Sequence, residues 1–327
     1  MGLSQHEVAQ LPLGARVRPS EEPPGSQPPV PKATRRRIQA LVLFTFILTG
    51  CFIRPLYDLM RFALQSDLYS HILLVPFISF YLIWVKRRNL AFGSRPCRRL
   101  AILPLAVGAG ILAVYYLLRH SGWRPHWEDY LAVMTLALLA FLWSGIFSLL
   151  GPATVRVIGF PLSFLIFIVP FPDFLLQRLQ TFLQVGSAAV AHLLFQVSGT
   201  PVLQQGMVFQ LPGFSLEVAT QCSGIHSSLV LFLTSLVAAH LLLRSSWTKA
   251  LLVLFVIPLA MIRNGVRIFT IGQLCVQVGP DMIHSYVHTH GGPIFFALSL
   301  APFFLLLVLL IRLESKHKRT DPVKPGS

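Results

Sequence analysis

Three short stretches of this chain gather side chains that can do chemistry. The first is Gln221-Cys222-Ser223-Gly224-Ile225-His226, directly ahead of an apolar run. A cysteine beside an apolar segment most commonly packs as a small hydrophobe. Cys-Ser-Gly at the start of a helix adds something else. The thiol stands near unpaired backbone N–H groups and the positive helix end, and both lower its pKa. Those N–H groups could also cradle an oxyanion. Cys222 is therefore a candidate nucleophile, with Ser223 and Gly224 as its support.

The second stretch, Arg263-Asn264-Gly265-Val266-Arg267, lies inside another apolar run. Two arginines in a membrane helix cost at least ~2.5 kcal/mol each at mid-bilayer, which makes them functional candidates. The plain alternative is that they snorkel to the boundary. Arg267 lies 18 residues beyond Lys249, about 27 Å along a helix, where snorkelling is cheap. Arg263 sits one turn deeper on the same face, so that alternative is weaker for it. Asn264 shares a face with Arg267 and could orient its guanidinium. The third stretch is His284-Ser285-Tyr286-Val287-His288-Thr289-His290-Gly291-Gly292. Three clustered histidines could bind a metal, but Asp281 is the one nearby carboxylate and no His-Glu-x-x-His motif exists. The expectation is no metal and no cofactor. A histidine as general base is the better use, since its pKa lies near neutrality. A thiol, a base and a cation for a developing oxyanion make an acyl-transfer set.

The elements that must position these groups follow from composition. Of 327 residues 54% are hydrophobic and only 12% charged, with 27 Lys+Arg against 12 Asp+Glu and a formal charge of +15; mean hydropathy is +0.67. A soluble protein of this length needs far more charged surface. Nucleic-acid binding would require a basic face on a folded domain, whereas here the basic residues fall in short clusters between apolar runs. That pattern describes an all-α, polytopic integral membrane protein lodged in the lipid bilayer and excludes a nucleic-acid partner. Four scattered cysteines (Cys51, Cys97, Cys222, Cys275) with no Cys-x-x-Cys pair exclude a disulfide framework or zinc site. Cys222 and Cys275 could still pair on an oxidising side, which would silence Cys222 as a nucleophile.

A span needs ~20 mostly apolar residues. About eight transmembrane helices are expected, near 38–53, 68–85, 100–118, 130–150, 157–172, 222–243, 250–274 and 292–311. Basic loops set the orientation. Arg35-Arg36-Arg37, the run from Lys86 to Arg99, Arg156, Arg244 with Lys249, and Arg312 to Arg319 alternate so that both termini are cytoplasmic. The polar, Pro-rich residues 1–34 read as a disordered cytoplasmic tail without a cleavable signal. Residues 38–312 form the transmembrane domain, and 316–327 a basic cytoplasmic tail. Residues 174–197 carry Gln177, Arg178, Gln180 and Gln184 at helical spacing, which suits an interfacial helix better than a span. Residues 200–220 alternate apolar and polar around Pro212-Gly213 and predict a small outer hairpin or loop before the cysteine.

Several motifs together resemble the exosortase/archaeosortase family. They are Val169-Pro170-Phe171-Pro172, Pro201-Val202, Leu211-Pro212-Gly213, Leu216-Glu217-Val218, Cys222-Ser223-Gly224-Ile225, Asn264-Gly265-Val266-Arg267-Ile268, and His288-x-x-x-Gly292-x-x-Phe295-Phe296. Ser70-His71 followed by Pro76 and Tyr81-Leu82 also looks like it, and the similarity covers roughly residues 40–310. The resemblance implies a cysteine protease of the bacterial plasma (inner) membrane acting as a transpeptidase, with its site facing the periplasm. Its partners would be exported proteins that end in a short motif, a transmembrane helix and a basic tail, plus an acceptor that resolves the thioester. It further implies Cys222 as nucleophile, Arg267 as the cation and His288 as the basic partner, with His284 and His290 as competitors for the last role. Gln221 stands where the family more often has Ala, His226 where Arg is common, and Pro293 where an aromatic is frequent. These departures bear on which substrate motif is read. A transporter or channel for an anionic solute, and a non-catalytic assembly factor, are the alternatives. A transporter predicts polar residues spread across several spans near the midplane, and this chain gathers them at the mouths of the last three.

Overall fold

The computed structural model describes residues 32–87, 98–218, 224–279 and 292–320. The tail before Lys32 and the last seven residues lie outside the described residues. Hydrocarbon leaves no water to satisfy backbone N–H and C=O groups, so the apolar runs fold as helices. In chain order these are α1 (Lys32–Cys51), α2 (Ile53–Gln65), α3 (His71–Val85), α4 (Arg98–His120), α5 (Trp127–Leu149), α6 (Pro152–Phe164), α7 (Asp173–Val197), α8 (Ile225–Leu242), α9 (Ser246–Gln277) and α10 (Gly292–Thr320). Six helices among the described residues are long and apolar enough to cross a membrane, and two bent pairs raise the number to eight. The chain is an all-α polytopic membrane protein. Its outward surface agrees with lipid as solvent, since Phe46, Phe77, Leu103 and Leu305 stand exposed on helix faces.

The two bends shape the molecule. The first apolar run does not end at residue 53: α2 continues it after a 73° turn at Phe52. Arg54, Asp58 and Arg61 make α2 too polar to prolong the span, and only Leu59 and Ala63 are buried. After α6 and a single 3₁₀ turn (Leu165–Ile168), Val169-Pro170-Phe171-Pro172 turns the chain by 94° into α7. Proline cannot continue a helix and biases the preceding residue away from helical backbone, so this sequence breaks the run. Gln177 and Arg178 are exposed on α7, as the polar repeat suggests, but Gln184 is buried. Its Nε2 donates to the Val218 carbonyl, a partner 34 residues away that directly follows the last strand of a small sheet.

The C-terminal half of α7 lies against α9, both running in the same direction. A Cβ on Gly265 would fall 2.6 Å from Val190 and one on Gly272 2.5 Å from Phe195. These glycines are the small residues that let two helices approach closely. Strands β1 (Leu203–Gln205), β2 (Val208–Leu211) and β3 (Phe214–Glu217) form an antiparallel sheet in chain order. Its inner residues Phe209, Leu211 and Leu216 pack with Ala191 and Phe195 of α7 and Ile268 of α9. A second core joins α8, α9 and α10 through Leu231, Leu252, Val256, Phe303 and Leu307. At its far end Glu314 of α10 accepts hydrogen bonds from the Arg244 and Ser245 N–H groups at 2.9 Å each and from Thr248 Oγ1. That carboxylate caps the start of α9.

Candidate functional site

The starts of α3, α8 and α10 and the upper part of α9 meet at one end of the bundle around a cleft of about 980 Å³. Gln65, Asp67 and Ser70 line it from the α2–α3 corner, Gln180 from α7, Gly224 and His226 from α8, Arg267 from α9, and Gly292 and Phe296 from α10. The corner is pinned from below, since Tyr69 is buried and its hydroxyl donates to the Phe171 carbonyl at 3.4 Å. The 94° bend and one wall of the cleft are thus tied together.

Arg263 does not point into the cleft's open volume. It is 7% exposed, and its Nη2 donates to the Gly224 carbonyl at 3.2 Å and to Ser228 Oγ at 3.0 Å. Ser228 Oγ in turn donates to the same carbonyl at 2.7 Å. A charged donor spanning two helices fixes where α8 begins, and such bonds are stronger than neutral ones. Gly224 has φ +67°, and a Cβ there would lie 3.2 Å from both Arg263 Nη2 and Asn264 Oδ1. Only glycine takes this backbone freely, and only a bare Cα admits two buried polar side chains so close. Asn264 is 2% exposed. It packs on Gly224 and also shares a small void with Arg267 and Glu217.

Arg267 is half-buried and lines the cleft. Of the residues read from the sequence as a site, the structure therefore brings Gly224, Arg263, Asn264 and Arg267 together. Cys222, Ser223 and Gln221 lie outside the described residues, as do His284, His288 and His290. The chain on either side is described. Val218 is 2% exposed, with its N–H donating to Met207 at 2.9 Å and its carbonyl held by Gln184. Gly224 and Gly292, which flank the two remaining segments, both border the cleft.

Sequence reasoning passed over one wall of this site and a histidine of the groove beside it. The Gln65–Ser70 corner follows a helix that the span reading did not contain. His71, quoted above only within a motif, is buried, and its Nδ1–H donates to the Leu68 carbonyl at 3.0 Å. The available signal was the polar cluster Gln65-Ser66-Asp67 with Ser70-His71 at the mouth of an apolar run. A second, largely apolar groove of about 380 Å³ runs from Ser70 and His71 down between α3 and α8, past Leu74, Val230, Thr234 and Ala238. It meets the cleft at Ser70 and Val230. Among the described residues no group of three or more His, Cys, Asp or Glu side chains could hold a metal ion.

The fold and this cleft define a polytopic helical membrane protein with a polar site at one end of its bundle. The family model of the transmembrane exosortases matches residues 63–305, and the chain belongs to that family. No curated protein and no solved structure matches it. Membership of this family suggests a membrane transpeptidase for sorting signals.

Proposed function

We propose that this chain is a cysteine endopeptidase and transpeptidase that cleaves carboxy-terminal sorting signals of exported proteins at the outer face of the membrane. The Cys222 thiolate attacks the scissile carbonyl. Arg267 and the N–H groups ahead of α8 stabilise the oxyanion, and His288 delivers a proton to the departing amine. Carbon–nitrogen cleavage releases the helix-bearing tail and leaves a thioester on Cys222. An amine, hydroxyl or water then attacks that thioester and restores the thiol. The observation that carries this reading is the convergence of Gly224, Arg267 and Gly292 on one cleft. Cys222 is two residues from Gly224, within ~7 Å by chain length, and His288 is four from Gly292, within ~14 Å. The cysteine segment is held at both ends, by Val218 and by the Arg263-bound Gly224.

The substrate's own membrane helix would dock in the groove between α3 and α8. Helices associate in lipid through close packing at small residues, since burial of apolar surface gives no advantage there. Thr234 and Ala238, four apart, are the small residues that α8 presents to this groove. Lys86, Arg87, Arg244, Lys249 and Arg312 gather at the end opposite the cleft. That distribution supports cytoplasmic termini, a periplasmic site and a bacterial inner-membrane location, with the substrate's basic tail left inside. The test is expression of Cys222→Ala and Cys222→Ser beside wild type with an exported reporter carrying such a carboxy-terminal signal. Loss of the processing shift in both variants is expected, and normal processing by Cys222→Ala sinks the proposal.

A further inference from the structure

A second cavity, of about 1200 Å³, lies between α2, α4 and α5 and shares no lining residue with the cleft. It opens beside the 73° bend at Phe52, beyond which α2 packs on α5 through Leu59 and Leu131. Arg54 and Asp58 enter it from α2, Arg119 from the end of α4, and Arg124 from the turn before α5. Three guanidinium groups and one carboxylate leave two net positive charges facing a shared volume. Among the described residues no hydrogen bond or ion pair occupies Arg54, Arg119 or Arg124. Arg119 complements the negative end of α4, which leaves Arg54 and Arg124 without even that role.

The opposite wall is aromatic. Tyr115 contacts Tyr116 at 5.3 Å and Tyr130 at 6.0 Å, and Trp127 contacts Tyr130 at 5.5 Å between ring centroids. Tyr115 is buried beneath the other rings. Leu112 and Met134 line the apolar part of the cavity, and the exposed Val114, Leu117 and Leu118 run along α4 beside it. Guanidinium groups match phosphate oxygens two at a time, and a concave surface of one sign concentrates that attraction. Tyrosine and tryptophan sit at headgroup depth, where one end of the ring is wet and the other apolar. A free phosphate would fill little of this volume and would make no use of the rings or the apolar flank.

We infer that this cavity is a binding site for the phosphate-bearing headgroup of an anionic membrane lipid, whose acyl chains lie along α4. Arg54, Arg119 and Arg124 hold the phosphate, and the aromatic wall holds the glycerol or other headgroup body.

The test is native mass spectrometry of the full chain, purified in neutral detergent and stripped of lipid, after adding phosphatidylglycerol or phosphatidylcholine. Wild type retains one phosphatidylglycerol in preference to phosphatidylcholine. Arg54→Gln/Arg119→Gln/Arg124→Gln lowers that retention by tenfold or more, since each charge-assisted bond is worth ~1.5–3 kcal/mol. The pair Arg98→Gln/Arg99→Gln, at the other end of α4, leaves it unchanged. Arg124→Gln alone and Trp123→Ala, both in an exposed turn, give smaller losses and serve if the triple variant does not fold. Equal retention of the two lipids overturns the inference, as does equal retention by wild type and the arginine variants. Displacement of the lipid by millimolar inorganic phosphate overturns it as well, by identifying a free anion as the ligand.

Discussion

Gly224 is the position where a single methyl group interrogates the site. Gly224→Ala must hold an L-residue at φ +67°, which costs about 1–2 kcal/mol. The new Cβ falls 3.2 Å from Arg263 Nη2 and Asn264 Oδ1 and 3.3 Å from Asn264 Cγ. Both neighbours are buried, at 7% and 2% exposure, so neither can swing clear. They must retreat by a few tenths of an ångström, and the 3.2 Å bond from Arg263 to the Gly224 carbonyl lengthens. The combined loss of stability is about 2 kcal/mol. Function suffers as well: a nucleophile displaced by ~1 Å loses ~10²-fold in rate, a shift of a few tenths costs a smaller factor, and Gly224 stands two residues from Cys222. The assay pairs thermal unfolding in detergent with the rate of reporter processing. Gly224→Asn separates the two causes, since asparagine tolerates left-handed backbone but carries the same Cβ. It regains much of the stability and little of the rate. Wild-type midpoint and rate for Gly224→Ala would refute the reasoning.

Three further perturbations follow from the packing. Gly265→Ala places a Cβ 2.6 Å from Val190 and 2.9 Å from the Ser187 carbonyl; forcing α7 from α9 costs about 1–3 kcal/mol, read as a lower unfolding midpoint. Ala238→Phe fills the groove beside α3 and slows processing of a helix-bearing substrate roughly 10- to 100-fold. Alkylation of Cys222 by a small thiol reagent stays at the wild-type rate in that variant, because the cleft itself is untouched. Glu314→Ala removes the acceptor of three hydrogen bonds at the start of α9; solvent access limits the loss to about 1 kcal/mol, measured by the same melt, with processing unchanged.

The long apolar runs were readable from the chain because membrane spans depend on length and composition alone. The bend at Phe52 was not. Its local cause is Pro55, which lacks the N–H that would bond the Cys51 carbonyl, but the span reading followed hydropathy, which stops at Arg54, Asp58 and Arg61. The second bend had a local cause in Pro170 and Pro172, and the alternation around Pro212-Gly213 foretold the small sheet, though as a hairpin rather than three strands. In the site, arginines inside an apolar run pointed to Arg263 and Arg267 on energetic grounds. Their division of labour was hidden, since the bond from Arg263 to Gly224 joins residues 39 apart on different helices. Gln184 was misjudged for the same reason. An amide that looks like surface on a helical wheel is interior when a carbonyl distant in the chain supplies its partner.

The central claim is that Cys222 carries the acyl group of the cleaved substrate. Intact mass spectrometry of the wild-type chain, quenched in acid during turnover of a reporter bearing the sorting signal, tests it most directly. The account predicts an adduct equal to the reporter lacking its helix and tail, mapped to Cys222, released by neutral hydroxylamine and missing from Cys222→Ala. Processing without such an adduct, or an adduct that persists in Cys222→Ala, would contradict it.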